Sequence, residues 1–255
     1  MILGDKMKII KYEKKKNGMY QVFFDNDYNV DINEELILKN QLLIKKELTE
    51  KELEIILKEN EKYIAYNIAI KFISIKMRSK KEIREYLSKK NINNIYIDEV
   101  ILMLEKEKYL DDLRYAQAYV SDKIHLSSDG PNKIRMKLKE HEIKDEDISL
   151  ALECFGFEIQ KEKIDKIIEK QINSNRNKSG YMLKNKIITY LTNLGYGKEV
   201  IMSSINNIDI KNDKELYKKE YEKIYKKLSK KYSGDELLYK VRQKMYALGF
   251  RDIEE

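Results

Sequence analysis

The sequence predicts a mainly α-helical chain: an elongated array of tandem three-helix repeats behind a small N-terminal antiparallel β element. Three observations carry this. One proline and nine glycines in 255 residues leave too few turn residues for a β-sandwich or a phosphate-binding α/β enzyme. A twelve-residue pattern occurs four times, at spacings of 51, 53 and 54 residues, and self-similarity at such a period marks an array of supersecondary units. Ahead of the repeats, short runs of strand-forming residues flank Asn17-Gly18, the dipeptide that best tolerates positive φ at both central positions of a type I′ turn.

The β element comes first. Lys8 to Tyr12 and Tyr20 to Phe24 read as the two arms of a hairpin around Asn17-Gly18. Asp25-Asn26-Asp27 then supplies a turn, and Tyr28 to Ile32 alternates as a third strand. A sheet of three short strands needs something to lean on. Thr49 and Glu52 can form a capping box, so the helix they start is the candidate support.

From residue 61 the apolar period becomes helical. KEIREYLSKKNI at 81–92, NKIRMKLKEHEI at 132–143, NKIITYLTNLGY at 185–196 and YKVRQKMYALGF at 239–250 align without gaps. Their third positions are Ile83, Ile134, Ile187 and Val241, and four residues on stand Leu87, Leu138, Leu191 and Met245. That spacing is one turn along one helix face. Ile92, Ile143, Tyr196 and Phe250 follow just past the helix end and close it.

Start signals precede each copy: the Ser79-x-x-Glu82 capping box, Ser128-Asp129-Gly130-Pro131, Ser179-Gly180, and Ser233-Gly234-Asp235. A longer amphipathic helix precedes each signal, at Glu61 to Met77, Asp112 to Leu126, Glu158 to Ser174 and Asp213 to Tyr232. A short helix follows the first three copies, at Ile95 to Lys108, Lys144 to Cys154 and Lys198 to Asn206. The expected division is a β-rich extension with a leading helix over 1–60, three-helix repeats over 61–109, 110–156 and 157–210, and an incomplete fourth repeat over 211–255.

Composition narrows the function classes. Charged residues are 37% and hydrophobic residues 42% of the chain, too apolar for wholesale disorder. The single cysteine, Cys154, rules out an internal disulfide framework and fits a cytoplasmic location. No run of about 18 apolar residues is present. The net charge of +7 is uneven: residues 1–156 balance 29 basic against 29 acidic side chains, whereas 157–255 hold 22 against 15. That excess suits nucleic acid, an acidic protein surface, or plain solvation of a lysine-rich face.

Between Ala65 and Glu153, three spaced elements occur in order. Arg78-Ser79-Lys80-Lys81-Glu82-Ile83 leads to Leu87, Leu110-Asp111-Asp112 leads to Tyr115-Ala116, and Gly130 leads to Ile134 and Leu138. In these the chain resembles the regulatory protein RecX family, in its longer form with a β-rich N-terminal extension. It departs in having Ile83 where leucine is usual, and Lys90-Asn91 and Glu142 where the family often has a glycine near the helix end. The resemblance implies a non-enzymatic modulator of the RecA recombinase in DNA recombination, repair and the SOS response. Such a protein binds along the groove of the RecA filament and suppresses its ATPase, strand-exchange and coprotease activities. Some members bind DNA weakly, and neither catalytic residues nor a cofactor comes with the family. A monomer without membrane association is expected.

The residues themselves carry no catalytic constellation. Gly195-Tyr196-Gly197 lacks a third glycine and a following Lys-Ser/Thr, so it reads as a helix C-cap. His125 and His141 have no cysteine neighbours for a zinc site. Cys154 reads as a small core residue at the end of the Ile148–Leu152 stripe. Of Asp111 and Asp112, one reads as an N-cap and the other as a charge favoured at the positive helix end.

The candidate partner contacts are Arg78, Arg84, Arg135, Lys226, Lys227, Lys230, Lys231, Lys240, Arg242 and Lys244. Arg78 reads first as a cation favoured at a helix C-terminus, and the lysines have the alternative of solubilising charge around a tyrosine-rich helix. Tyr217, Tyr221 and Tyr225 form a stripe that either packs inward or stacks bases. The alternative function is a helical module that binds single- or double-stranded DNA directly.

Overall fold

The computed structural model describes residues 6–175, 178–206, 208 and 214–250. It begins with strands β1 (Lys6–Lys14), β2 (Met19–Phe24) and β3 (Asn29–Asn33), then the short helices α1 (Glu34–Lys39) and α2 (Leu42–Lys45) and strand β4 (Glu47–Thr49). Helices follow: α3 (Glu50–Ile73), α4 (Lys80–Lys89), α5 (Asn94–Lys106), α6 (Asp112–Leu126), α7 (Pro131–Glu140), α8 (Asp145–Leu152) and α9 (Phe157–Ser174). The last four are α10 (Gly180–Asn193), α11 (Lys198–Asn206), α12 (Lys214–Leu228) and α13 (Gly234–Ala247). The predicted start of the fourth long helix at Asp213 and the division at 210/211 lie outside the described residues.

The sheet has four strands rather than the three expected, in the antiparallel order β3-β2-β1-β4. Only three residues form β4, too short for alternation to reveal, and its pairing with Lys6–Lys8 comes from 41 residues away. Asn17 and Gly18 both take positive φ, 58° and 67°, as the turn requires. Met7, Ile9, Val22, Phe24, Ile32 and Leu48 form one buried face, packed with Leu36, Ile37 and Leu42 and with Leu53 and Ile56 of α3.

Helix α3 is the support the sheet needs. Thr49 closes β4 and caps α3 with the reciprocal Glu52 bond. About three turns further on, buried Asn60 accepts from the Asn33 amide at 2.9 Å and donates to the Asp31 carbonyl at 2.6 Å. A single helix runs from Glu50 to Ile73, so the leading helix and the first long repeat helix, expected to divide near residue 61, are continuous. Nothing between Glu59 and Glu61 breaks it, since neither Gly nor Pro occurs there.

Two compact units divide the chain. One holds residues up to Tyr115 together with His141–Ile143; the other holds Ala116–Glu140 and the residues from Lys144 onward. In the first, α3, α4 and α5 share a core of Ala65, Ala69, Ile83, Leu87, Ile97, Val100, Ile101 and Leu104. In the second, α9, α10 and α11 pack on one another, as do α7 with α8 and α12 with α13. The repeat stripe is buried throughout: Ile134, Leu138, Ile187, Leu191 and Val241 are essentially inaccessible.

The eleventh position of every copy is left-handed. Asn91, Glu142, Gly195 and Gly249 have φ of 60°, 62°, 90° and 85°. The amides of Ile92, Tyr196 and Phe250 then return to the Leu87, Leu191 and Met245 carbonyls at 3.1–3.2 Å, the bond that closes a helix C-terminus and satisfies an orphan carbonyl. The Asn91 turn, which lacks glycine, closes as the two glycine turns do.

The short helices also interlock end to end. In the second unit the amides of Gly130 and Asn132, at the start of α7, donate to the Leu194 and Gly195 carbonyls at the end of α10 (2.6 and 3.0 Å). The Ser179 hydroxyl that starts α10 donates to the Leu248 carbonyl at the end of α13 (2.5 Å). Within the first unit, Ser79 at the start of α4 lies 3.4 Å from His141 Nδ1. Each of the two joints in the second unit sets the positive end of one helix against the negative end of another and satisfies polar groups that helix termini leave open.

Candidate partner interface

The ten candidate cations fall into two classes. Those of the first two repeats are already engaged. Arg78 stacks its guanidinium on Phe72 at 3.7 Å and donates to Glu82 at 3.1 Å, and only 12% of its side chain is exposed. Phe72 in turn stacks on Tyr86 at 3.9 Å. Helix α3 ends at Ile73, so Arg78 does not sit in its last turn either. Burial raises the Glu82 pKa, but the Ser79 amide and Arg78 outweigh it and hold the carboxyl below its ordinary value.

Arg84 and Arg135 occupy the fourth position of their copies and repeat one arrangement. Arg84 binds Asp98 of α5 at 2.5 Å; Arg135 donates to Ser149 of α8 at 3.3 Å and pairs with Asp145 at 3.6 Å. Both hold the second helix of a repeat to its third through a residue fourteen positions on. That i, i+14 match was readable in the aligned copies. It ties these arginines to their own repeats.

The C-terminal cations differ. Lys226, Lys227, Lys230 and Lys231 are exposed, and no carboxylate among the described residues pairs with them or with Lys218 and Lys219. The ion pair within α12 is Lys223 with Glu220 at 3.2 Å. On α13, Arg242 and Lys244 are exposed, and half-buried Lys240 lies over the Tyr239 ring at 5.9 Å. Lys218 and Lys219 were not among the sequence candidates, because sequence does not show which lysines lack a partner.

The remaining calls resolve locally. Asp111 is the cap of α6, accepting from the Arg114 amide at 2.9 Å, while Asp112 holds Lys80 at 3.0 Å. Gly195 is a left-handed helix end. Cys154 is exposed rather than part of the core. Helix α8 stops at Leu152, and the buried set is Ile148, Ala151 and Phe155, which leaves Cys154 in the turn outside it. Ser233 starts α13 without a side-chain capping bond. No group of three or more His, Cys, Asp or Glu suited to a metal is found among the described residues, and no described helix is long and apolar enough to cross a membrane.

Two family models match: the first three-helix domain of RecX over residues 65–102 and the second over 111–152. The regulatory protein RecX of Oceanobacillus iheyensis is 32% identical over 250 residues, covering 94% of this chain and 92% of that protein. The chain belongs to the RecX regulatory protein family. The RecX of Listeria monocytogenes serotype 4a is 33% identical over 84% of this chain and 81% of its own. A crystal structure of a regulatory protein RecX superposes with a TM-score of 0.71 at 27% identity, over 79% of this chain and all of that one. RecX from Lactobacillus salivarius gives 0.56 at 28% identity, over 58% of this chain and 96% of its own. The family accounts for the helical repeats and for a regulatory role.

Proposed function

We propose that this chain is a non-enzymatic regulator of RecA, binding the recombinase filament and inhibiting its ATPase, strand-exchange and coprotease activities. Family membership supports the regulatory role. The observation that carries the contact is the exposed, carboxylate-free run Lys226, Lys227, Lys230 and Lys231. The protein acts as a cytoplasmic monomer by occupancy. The repeats of 61–109, 110–156 and 157–210 and the helices of 211–255 each make a weak contact, and effective concentration sums them. The bound chain obstructs DNA access and the subunit motions that turnover needs.

The test is RecA ATPase on single-stranded DNA with the native chain and a variant carrying Lys226→Gln, Lys227→Gln, Lys230→Gln and Lys231→Gln. Exposed charges act over about 8 Å at physiological ionic strength, so the variant inhibits less and its inhibition depends less on salt. Equal inhibition with equal salt dependence would return these lysines to ordinary solvated surface.

A further inference from the structure

Three tyrosines of α12 form a ladder. Tyr217 and Tyr221 lie 6.0 Å apart at 26°, and Tyr221 and Tyr225 lie 6.1 Å apart at 20°. Phe250 closes the inner end edge-on, 5.5 Å from Tyr217 at 81°. Tyr217 and Tyr221 pack against the core of Leu237, Val241, Met245 and Phe250. Tyr225 is the outer rung and is 41% exposed. Apart from Tyr221, no ring among the described residues stacks on it.

Packing explains the two inner rings but not the outer one. The i, i+4 spacing carries the row of rings past that core to Tyr225, which lies outside it. Lysines surround this end: Lys218 is two turns back on the same stripe, Lys226 is adjacent, and residues 214–231 hold eight lysines against three glutamates. Glu222, one turn back, is the acidic neighbour. Lys218 and Lys226 are exposed and have no carboxylate partner among the described residues.

We infer that the exposed Tyr225 end of this ladder, with Lys218 and Lys226, is a binding site for single-stranded DNA. A flat base becomes the next rung on Tyr225, and the lysines take the adjoining phosphates. Every base has a π-face, so such stacking tolerates any sequence, and the lysines attract phosphates wherever they lie. Duplex bases have their faces covered by their neighbours, so the site selects unpaired strands. Helix α12 carries no Arg, Asn or Gln that would read base edges. An acidic protein would satisfy the lysines but leave the aligned ring unused. The site draws on the basic face described above and does not depend on recognition of RecA.

The test is fluorescence anisotropy of a labelled oligo-dT with the full chain, without RecA, across a salt series. Tyr225→Ala weakens binding about ten-fold, the scale of one lost base stack, while Tyr225→Phe stays within about two-fold of native. Lys218→Gln with Lys226→Gln flattens the dependence of affinity on salt. The chain contains no tryptophan, so Tyr225→Trp adds a unique reporter whose emission is quenched when a base stacks on it. Circular dichroism of each variant establishes that it is folded, and the tryptophan signal stands even if Tyr225→Ala does not fold. Native-like binding by Tyr225→Ala, unchanged emission while anisotropy rises, or equal affinity for duplex would overturn the site. Tighter binding of oligo-U would overturn its assignment to DNA. Because RecA is absent, such a failure leaves the filament reading standing; loss of RecA inhibition alone counts against that reading only.

Discussion

Replacing Glu142 with glycine should stabilise the protein. Glu142 has φ of 62°, the left-handed region where its Cβ crowds the backbone at about 1–2 kcal/mol. Against that relief stand two smaller losses. Glycine adds freedom to the unfolded chain, worth about 0.4–1 kcal/mol. The ion pair to Lys81 is 3.7 Å long with the Glu142 side chain 65% exposed, so it contributes no more than a few tenths of a kcal/mol. The net is a gain of about 0.5 kcal/mol. Asn91→Gly gains less, because asparagine tolerates this conformation. Gly195→Ala runs the other way: φ is +90°, and the added Cβ would lie 2.5 Å from the Lys133 backbone nitrogen, where only backbone movement makes room. It should cost at least about 3 kcal/mol, the clash adding to the strain. Urea titration followed by circular dichroism reads the order Glu142→Gly above native above Gly195→Ala, at unchanged m-value. A destabilised Glu142→Gly, or Gly195→Ala as stable as native, would show that the common helix end is not what holds these turns.

Two further outcomes test the core and the first capping box. Leu138→Ala removes a completely buried side chain from the second copy and should cost about 2–5 kcal/mol in the same titration; a loss under about 0.5 kcal/mol would place the stripe outside the core. The Lys45 ammonium, with the Thr49 amide, holds the Glu52 carboxyl down at about 2, below its ordinary value of 4.5. A depressed carboxyl stabilises the fold above its unfolded pKa, and that contribution is lost as pH falls from about 4.5 toward about 2. Glu52→Gln should therefore flatten the acid limb of stability in that window, and an unchanged limb would show that the box contributes no pH dependence.

Much of the candidate interface was legible from spacing, and the reason it was incomplete is specific. Charge asymmetry alone located the basic C-terminal part, since formal charge is a sum over residues. Whether a given cation is available depends on its neighbours. Arg78 is similar in sequence to the C-terminal cations, yet Phe72 and Glu82 bury it, whereas Arg84 stays exposed while paired with Asp98 and Arg135 is half-buried beside Ser149. Tyr225 differs from Tyr217 and Tyr221 only in where the packing of α13 and Phe250 ends.

By itself the sequence determined the elements whose causes are local. The Asn17-Gly18 turn, the capping boxes at Thr49 and Ser79, Pro131 at a helix start and the four i, i+4 stripes each depend on residues within one or two turns of chain. Only the tertiary structure decided what depends on distant partners. Strand β4 exists because Lys6–Lys8 offers an open edge to three residues that would not hold a strand alone. Glu142 takes a left-handed φ of 62° against the preference of its own residue type. The short helices meet end to end because termini carry open polar groups, and which partner fills them is set by packing between repeats.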